Sequence, residues 1–303
     1  MEIRTQTNSF LLTIGKFFIT IWNGIKTFFG KMYSNPKTAI GFSIIVFYIL
    51  VAVIGPILFP YDSMVNSQNK YLPASLEHPF GTDWMGLDVF RQVIAGTEGV
   101  LQVAFYTAVI SVFLGTFLGI LSGYLGGWVD RIIMVIVNIF LSVPSFPVYL
   151  MLAALFTIET PLAMAAVISV FSWAGLCRAI RVQVISLKES DFIQICRVMN
   201  MSTGHIIFKE IMPNLFSYIA VNFVLILRGS ILASVGIMLV GLASYNPTDW
   251  GVIIQAARMR GLMNLNNIRI MMYPLVAILI FQIAALMLSQ GLDETINPRL
   301  KVL

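Results

Sequence analysis

The chain has 303 residues, of which 58% are hydrophobic and 11% charged, with a net charge of +5 and a mean hydropathy of +0.87. A soluble domain carries about a quarter charged residues, so this composition places the protein in a membrane. Long uncharged runs, rather than alternating segments of about ten residues, make it an all-α membrane protein and exclude a barrel. The basic residues are spread along the chain instead of forming one patch, which argues against nucleic acid as a partner.

Residues 10–32 place apolar side chains at 11, 14, 18, 21, 25, 28 and 32, with Lys16, Asn23, Lys26 and Lys31 off that stripe. The spacing predicts an amphipathic helix too polar to span, lying in the headgroup layer. The apolar run inside it is broken by Asn23 and followed by no small-residue cleavage site, unlike a signal peptide. Residues 39–59 then form a charge-free run of 21 residues, long enough to cross a bilayer core of about 30 Å. Further spans are expected over 100–125, 132–156, from 162 past 176, 216–242 and 272–289, six in all. Polar segments separate them: 60–99, a turn at 127–131, a tight loop at 157–161, a long stretch at 188–214, and 243–270. The chain divides into a tail with its interfacial helix (1–38), a first span with a polar loop (39–99), a core (100–290) containing a loop at 178–215, and a tail (291–303).

Lysines and arginines set the orientation. With the N-terminus inside, thirteen lie on inner segments and five, Lys70, Arg91, Arg258, Arg260 and Arg269, on outer ones. Both termini and the 188–214 stretch are therefore expected in the cytoplasm of a multi-pass cell-membrane protein. Cys177 and Cys196 fall on that reducing side, where a disulfide is not expected, and His78 and His205 fall on opposite sides, so no metal site is expected.

Three intramembrane features stand out. Thr107, Ser111, Gly115, Gly119, Gly123 and Gly127 recur every fourth residue, a face that lets a neighbouring backbone approach and that could also permit sliding. Pro144 and Pro147 should bend the third span or open its backbone bonds along a path. Arg228 is the one charge deep in a span, and its cost requires a bundle-interior or hydrated position with carbonyls, a second subunit or a substrate as partner.

The chain lacks a phosphate-binding G-x-x-x-x-G-K-[ST] loop, a catalytic constellation and intramembrane acids. It is therefore expected to be neither an enzyme nor a self-sufficient proton-driven carrier, and energy for uphill transport must come from another polypeptide. The 188–214 stretch is where such a partner would act. Ser190 suits an N-cap with Asp191 in the first turn, and Phe192, Ile195, Val198 and Met199 form an apolar face. Asn200 suits a left-handed helix stop, Ser202 or Thr203 can start a second short helix carrying Ile206, Ile207 and Ile211, and Pro213 is expected to close it. The product is a helix–turn–helix offering a small apolar knob to a groove on a partner.

At these residues the sequence resembles a known family. DFIQICRVMNMS and IIFKEIMPN are similar to the E-A-A-x-x-x-G loop of type I ABC importer permeases. HPFGTDWMGLDVF (78–90), GYLGGWVDRIIM (123–134), NPTDWG (246–251) and GLDETINPRL (291–300) narrow the resemblance to the C-type permease subunit of dipeptide and oligopeptide importers. The resemblance covers roughly 34–303 and implies a homologous permease as partner, two cytoplasmic ATPases holding ATP and Mg, and an extracytoplasmic solute-binding protein. This chain would bind no cofactor itself. Asp191, Phe192, Gln194, Ile195, Val198, Met199 and Asn200 would form the coupling helix, Gly81, Thr82, Asp83 and Asp88 the outer motif, and Arg228 and Ser234 would lie on the translocation path. Gln194, Ile195, Cys196 and Asn200 stand where the family has Glu, Ala, Ala and Gly, and Leu87 replaces the arginine of the outer G-R-D. Relatives of the same architecture import oligosaccharides or nickel chelates, and a secondary carrier is the distant alternative.

Overall fold

The computed structural model describes residues 30, 32–33, 35–243, 247–261 and 267–296. The expected interfacial helix lies almost wholly outside them, as does the tail from 297. The described chain is helical and has no strands, with one isolated bridge between Thr82 and Asp88. Five helices are long and apolar enough to span, and a bent pair makes up to six.

The first helix, α1 (Pro36–Leu58), starts where Asn35 accepts a hydrogen bond from the Lys37 backbone and Pro36 supplies the fixed φ of a first helical turn. The second, α2 (Val89–Leu125), begins eleven residues before the expected span. Asp88 caps it by accepting from the Arg91 N–H at 3.0 Å, so a stretch that reads as polar loop is the helix's outer extension.

The third span is broken rather than bent. α3 (Gly127–Ser142) and α4 (Ser145–Leu155) meet at 87° across Val143 and Pro144. A proline restricts the residue before it to extended backbone, and Val143 has ψ 130, so the helix cannot continue through the pair. Helix α5 (Pro161–Lys188) carries the fourth span well past residue 176.

After α6 (Asp191–Val198), the expected second short helix is instead the start of a long one, α7 (Thr203–Val240). Pro213 does not close it. A π-helical segment, Ile206–Ile211, precedes the proline and widens the turn where a normal α ladder would clash with the ring. The loop expected over 243–270 contains α8 (Trp250–Met259), and α9 (Arg269–Ile296) completes the described chain.

The largest core gathers α1, α2, α7, α8 and α9. At its centre Trp250 donates to the Val93 carbonyl at 2.9 Å, and Tyr48 lies edge-on to both Trp250 and Phe281. The small-residue face of α2 meets α5. A Cβ at Gly115, Gly119 or Gly123 would lie 2.9, 2.8 and 2.8 Å from the carbonyl oxygens of Trp173, Cys177 and Arg181. Each glycine therefore seats one turn of the facing backbone, which is tight packing in a fixed register.

Candidate functional site: coupling helix, intramembrane arginine and outer cap

Helix α6 is short, and its ends explain why it forms. Ser190 is extended (φ −71, ψ 149) and its carbonyl accepts from Ile193 and Gln194. The Ser190 hydroxyl does not cap α6; it donates to the Leu187 carbonyl at 2.5 Å and so ties the cap to the end of α5. At the other end Asn200 has φ +58, donates to the Arg197 carbonyl, and is followed by a Met201 N–H bonded to Cys196. That pair of bonds is a complete left-handed helix stop, reached here by Asn in place of glycine.

The two faces of α6 have opposite fates. Ile193 and Cys196 are buried with Ile120, Ile180, Ile206 and Ile211, which fasten the helix to α2, α5 and α7. Phe192, Ile195, Val198 and Met199 are 39%, 58%, 88% and 64% exposed, a contiguous apolar surface off the membrane spans. Asp191 is exposed in the first turn, and Gln194 turns its amide back to the Glu189 carbonyl at 3.0 Å.

Arg228 finds a partner that sequence reading did not name. Its Nε donates to Gln282 Oε1 at 2.6 Å, and Gln282 Nε2 donates back to the Arg228 carbonyl at 3.0 Å. The pair joins α7 to α9, and Gln282 is 8% exposed. The available signal was that Gln282 is one of few polar residues in the last span; its sequence distance of 54 hid the pairing. Ser234 is 1% exposed and donates to the Ile231 carbonyl one turn back, so its hydroxyl is satisfied within its own helix.

The outer motif folds into a closed cap on the start of α2. Gly81 has φ +74, and a Cβ there would lie 2.5 Å from the Leu72 carbonyl. Thr82 accepts from the Leu72 N–H at 2.8 Å and donates to the Asn69 carbonyl. Asp83, 1% exposed, accepts from Met85, Leu87 and Gln92 at 2.7, 3.0 and 2.7 Å. Leu87 precedes Asp88, and His78 Nδ1 lies 2.8 Å from the Asp88 carboxylate. Arg269 of α9 donates to the Leu72 carbonyl at 2.7 Å, and the Arg260 guanidinium stacks over Trp84 at 4.4 Å. Between α2, α5 and the start of α8, Asp249 lines a cavity of about 160 Å³ with Gly99, Glu159 and Thr160. Burial pushes the Asp249 carboxyl up to about 6.

Comparison with known proteins places this geometry in context. Residues 115–302 match the family described as binding-protein-dependent transport system inner membrane component. Over 277 residues the chain is 29% identical to the dipeptide transport system permease protein DppC of Alkalihalophilus pseudofirmus, covering 90% of this chain and 89% of that one. It is 33% identical over 273 residues to the metal-staphylopine import system permease protein CntC of Staphylococcus aureus, covering 89% and 93%. It is 28% identical over 261 residues to the glutathione transport system permease protein GsiD of Escherichia coli, covering 85% and 84%.

Proposed function

The chain belongs to the binding-protein-dependent transport inner membrane component family, the permeases of ABC importers, and from that premise we propose that it imports peptides as half of a paired channel. A homologous permease supplies the other half, two cytoplasmic ATPases bind ATP and Mg and supply the energy, and an extracytoplasmic binding protein delivers the substrate. Both termini lie in the cytoplasm, as the thirteen inner and five outer lysines and arginines favour. The relatives named for dipeptides and glutathione support the substrate class.

The observation that carries the energy-coupling part is the two-faced α6, anchored by Ile193 and Cys196 and exposing Phe192, Ile195, Val198 and Met199. A helix with a fixed base and a bare apolar tip suits a groove on an ATPase. Nucleotide-driven movement of that groove reaches the spans through the buried face. Gln194, already satisfied by the Glu189 carbonyl, contributes less to the ATPase contact than the family's charged Glu would.

The test is Ile195→Glu or Met199→Glu in the assembled transporter. Both side chains are exposed, so membrane insertion should be unchanged while uptake of a labelled dipeptide per ATP hydrolysed falls by roughly tenfold, a coupling loss of ordinary size. Unchanged uptake and substrate-stimulated hydrolysis would sink the assignment of α6. The isolated chain should bind no ATP. A second reading, import of a metal chelate, is favoured by the 33% identity to the staphylopine permease. Competition between a labelled dipeptide and a nickel chelate for the cognate binding protein separates the two.

A further inference from the structure

The corner between α2 and α3 carries residues that the coupling helix by itself does not explain. Gly126 (φ +68) and Gly127 (φ +58) turn the chain so that Asp130, in the first turn of α3, faces back toward α2 and α5. Arg181 of α5 grips it with two bonds, Nε to Oδ1 at 2.5 Å and Nη2 to Oδ2 at 2.6 Å. The Ser122 hydroxyl donates to the same carboxylate from α2. Gly123 lets the Arg181 backbone close to within contact of α2. Three helices thus meet on one carboxylate, and a two-pronged guanidinium pair fixes their orientation as well as their distance.

Tyr124, one residue beyond Gly123, links this corner to the coupling helix. Its carbonyl accepts from Lys188 Nζ at 2.8 Å. Its ring has the Lys188 ammonium at 5.7 Å and the Arg197 guanidinium of α6 at 5.9 Å from the centroid. Cations at that range are drawn to the face of an aromatic ring. A cavity of about 320 Å³ is lined both by Ser122, Gly123 and Asp130 of the corner and by Gln194 and Arg197 of α6. Ile193 and Cys196 hold the base of the helix, and Arg197 on Tyr124 is its side-chain tether on this flank.

We infer that Tyr124, Asp130 and Arg181 are positioning residues of a second transmission route, from α6 through the corner to the broken span α3–α4. This rests on the reading of α6 as the coupling helix and adds the destination of its movement. Because α4 follows α3 directly across a two-residue break at 87°, a tilt of α3 about the Asp130–Arg181 pair is passed on to α4.

The experiment uses the complete transporter, reconstituted with its permease partner, ATPases and binding protein. It compares Asp130→Asn, Arg181→Gln, Tyr124→Ala and Tyr124→Phe with the parent chain and with the charge swap Asp130→Arg/Arg181→Asp. The readouts are alanyl-alanine imported per ATP hydrolysed and the stimulation of hydrolysis by the loaded binding protein. Each of the first three variants should assemble normally and lose roughly tenfold in both, within the usual range of coupling free energies. Tyr124→Phe should behave as the parent, since the ring face and not the hydroxyl holds Arg197, and the swap should recover most of the loss. Normal values in the three variants would overturn the inference. So would a matched fall in assembly, hydrolysis and import, which would make the corner a fold element only. If the parent is stimulated by its binding protein yet imports no alanyl-alanine, the peptide reading fails, and the stimulation measurement alone still judges the corner.

Discussion

The two ends of the bundle solve opposite problems. The outer cap, residues 66–88, turns its polar atoms inward: Asp83 alone satisfies three donors, and Thr82 both accepts and donates. The coupling helix turns apolar atoms outward and is held by two buried side chains and a left-handed stop. Thr82 and Asp83 are buried with their polar atoms bonded within the cap, whereas α6 leaves the apolar Val198 88% exposed. The contrast separates a polar network bonded within the chain from an exposed apolar face.

Substitutions can break this contrast. The largest effect is expected for Asp83→Ala, which leaves two backbone N–H groups and the Gln92 amide unpaired in a buried site, at a cost of about 3 kcal/mol or more. It should appear as a fall in the unfolding midpoint of the detergent-solubilised protein. Gly81→Ala should cost about 2 kcal/mol, because a side chain is strained at φ +74 and would press on the Leu72 carbonyl. Limited proteolysis of the 66–88 segment would show the loosening.

The outer side should also respond to pH. Asp249 is pushed from 3.8 to about 6 by burial, so between those values the folded chain binds more protons than the unfolded one. Stability then falls as pH rises through that window, by about 1 kcal/mol once partial exposure is allowed for. Asp249→Asn should flatten the slope in thermal melts taken from pH 4 to 7. The smallest effect belongs to Val198→Ala on α6, with a change in stability within about 0.5 kcal/mol, since the side chain is 88% exposed. A large shift in its melting temperature would show that the apolar face of α6 supports the fold, and the comparison with the outer cap would collapse.

Much of this was legible in the residues. The exposed and buried faces of α6 follow from helical periodicity, and Asn200 in the left-handed region follows from its short amide side chain. The break at Pro144 was visible as a disruption, but its angle was not, because proline forbids one continuation without choosing another. The fate of Pro213 was misread for a related reason: a π-turn can absorb a proline, and whether it does depends on what packs around Ile206 and Ile211. The start of α2 at Val89 was hidden by polar residues that are good helix formers outside the hydrocarbon core. The His78–Asp88 pair joins residues ten positions apart across the turn of the cap, a contact that no helical or strand spacing announces.

By itself the sequence determined the membrane class, the approximate spans, the small-residue face of α2 and the two-sided short helix α6. These depend on length, hydropathy and spacing within one helix, which are local quantities. The tertiary structure decided that Arg228 pairs with Gln282, that Arg181 forks onto Asp130, and that Arg269 pins the outer cap. Those partners lie 54, 51 and 197 residues apart, respectively. Which polar groups meet across such distances is set by the register and crossing of packed helices, and no periodicity within a single segment encodes it.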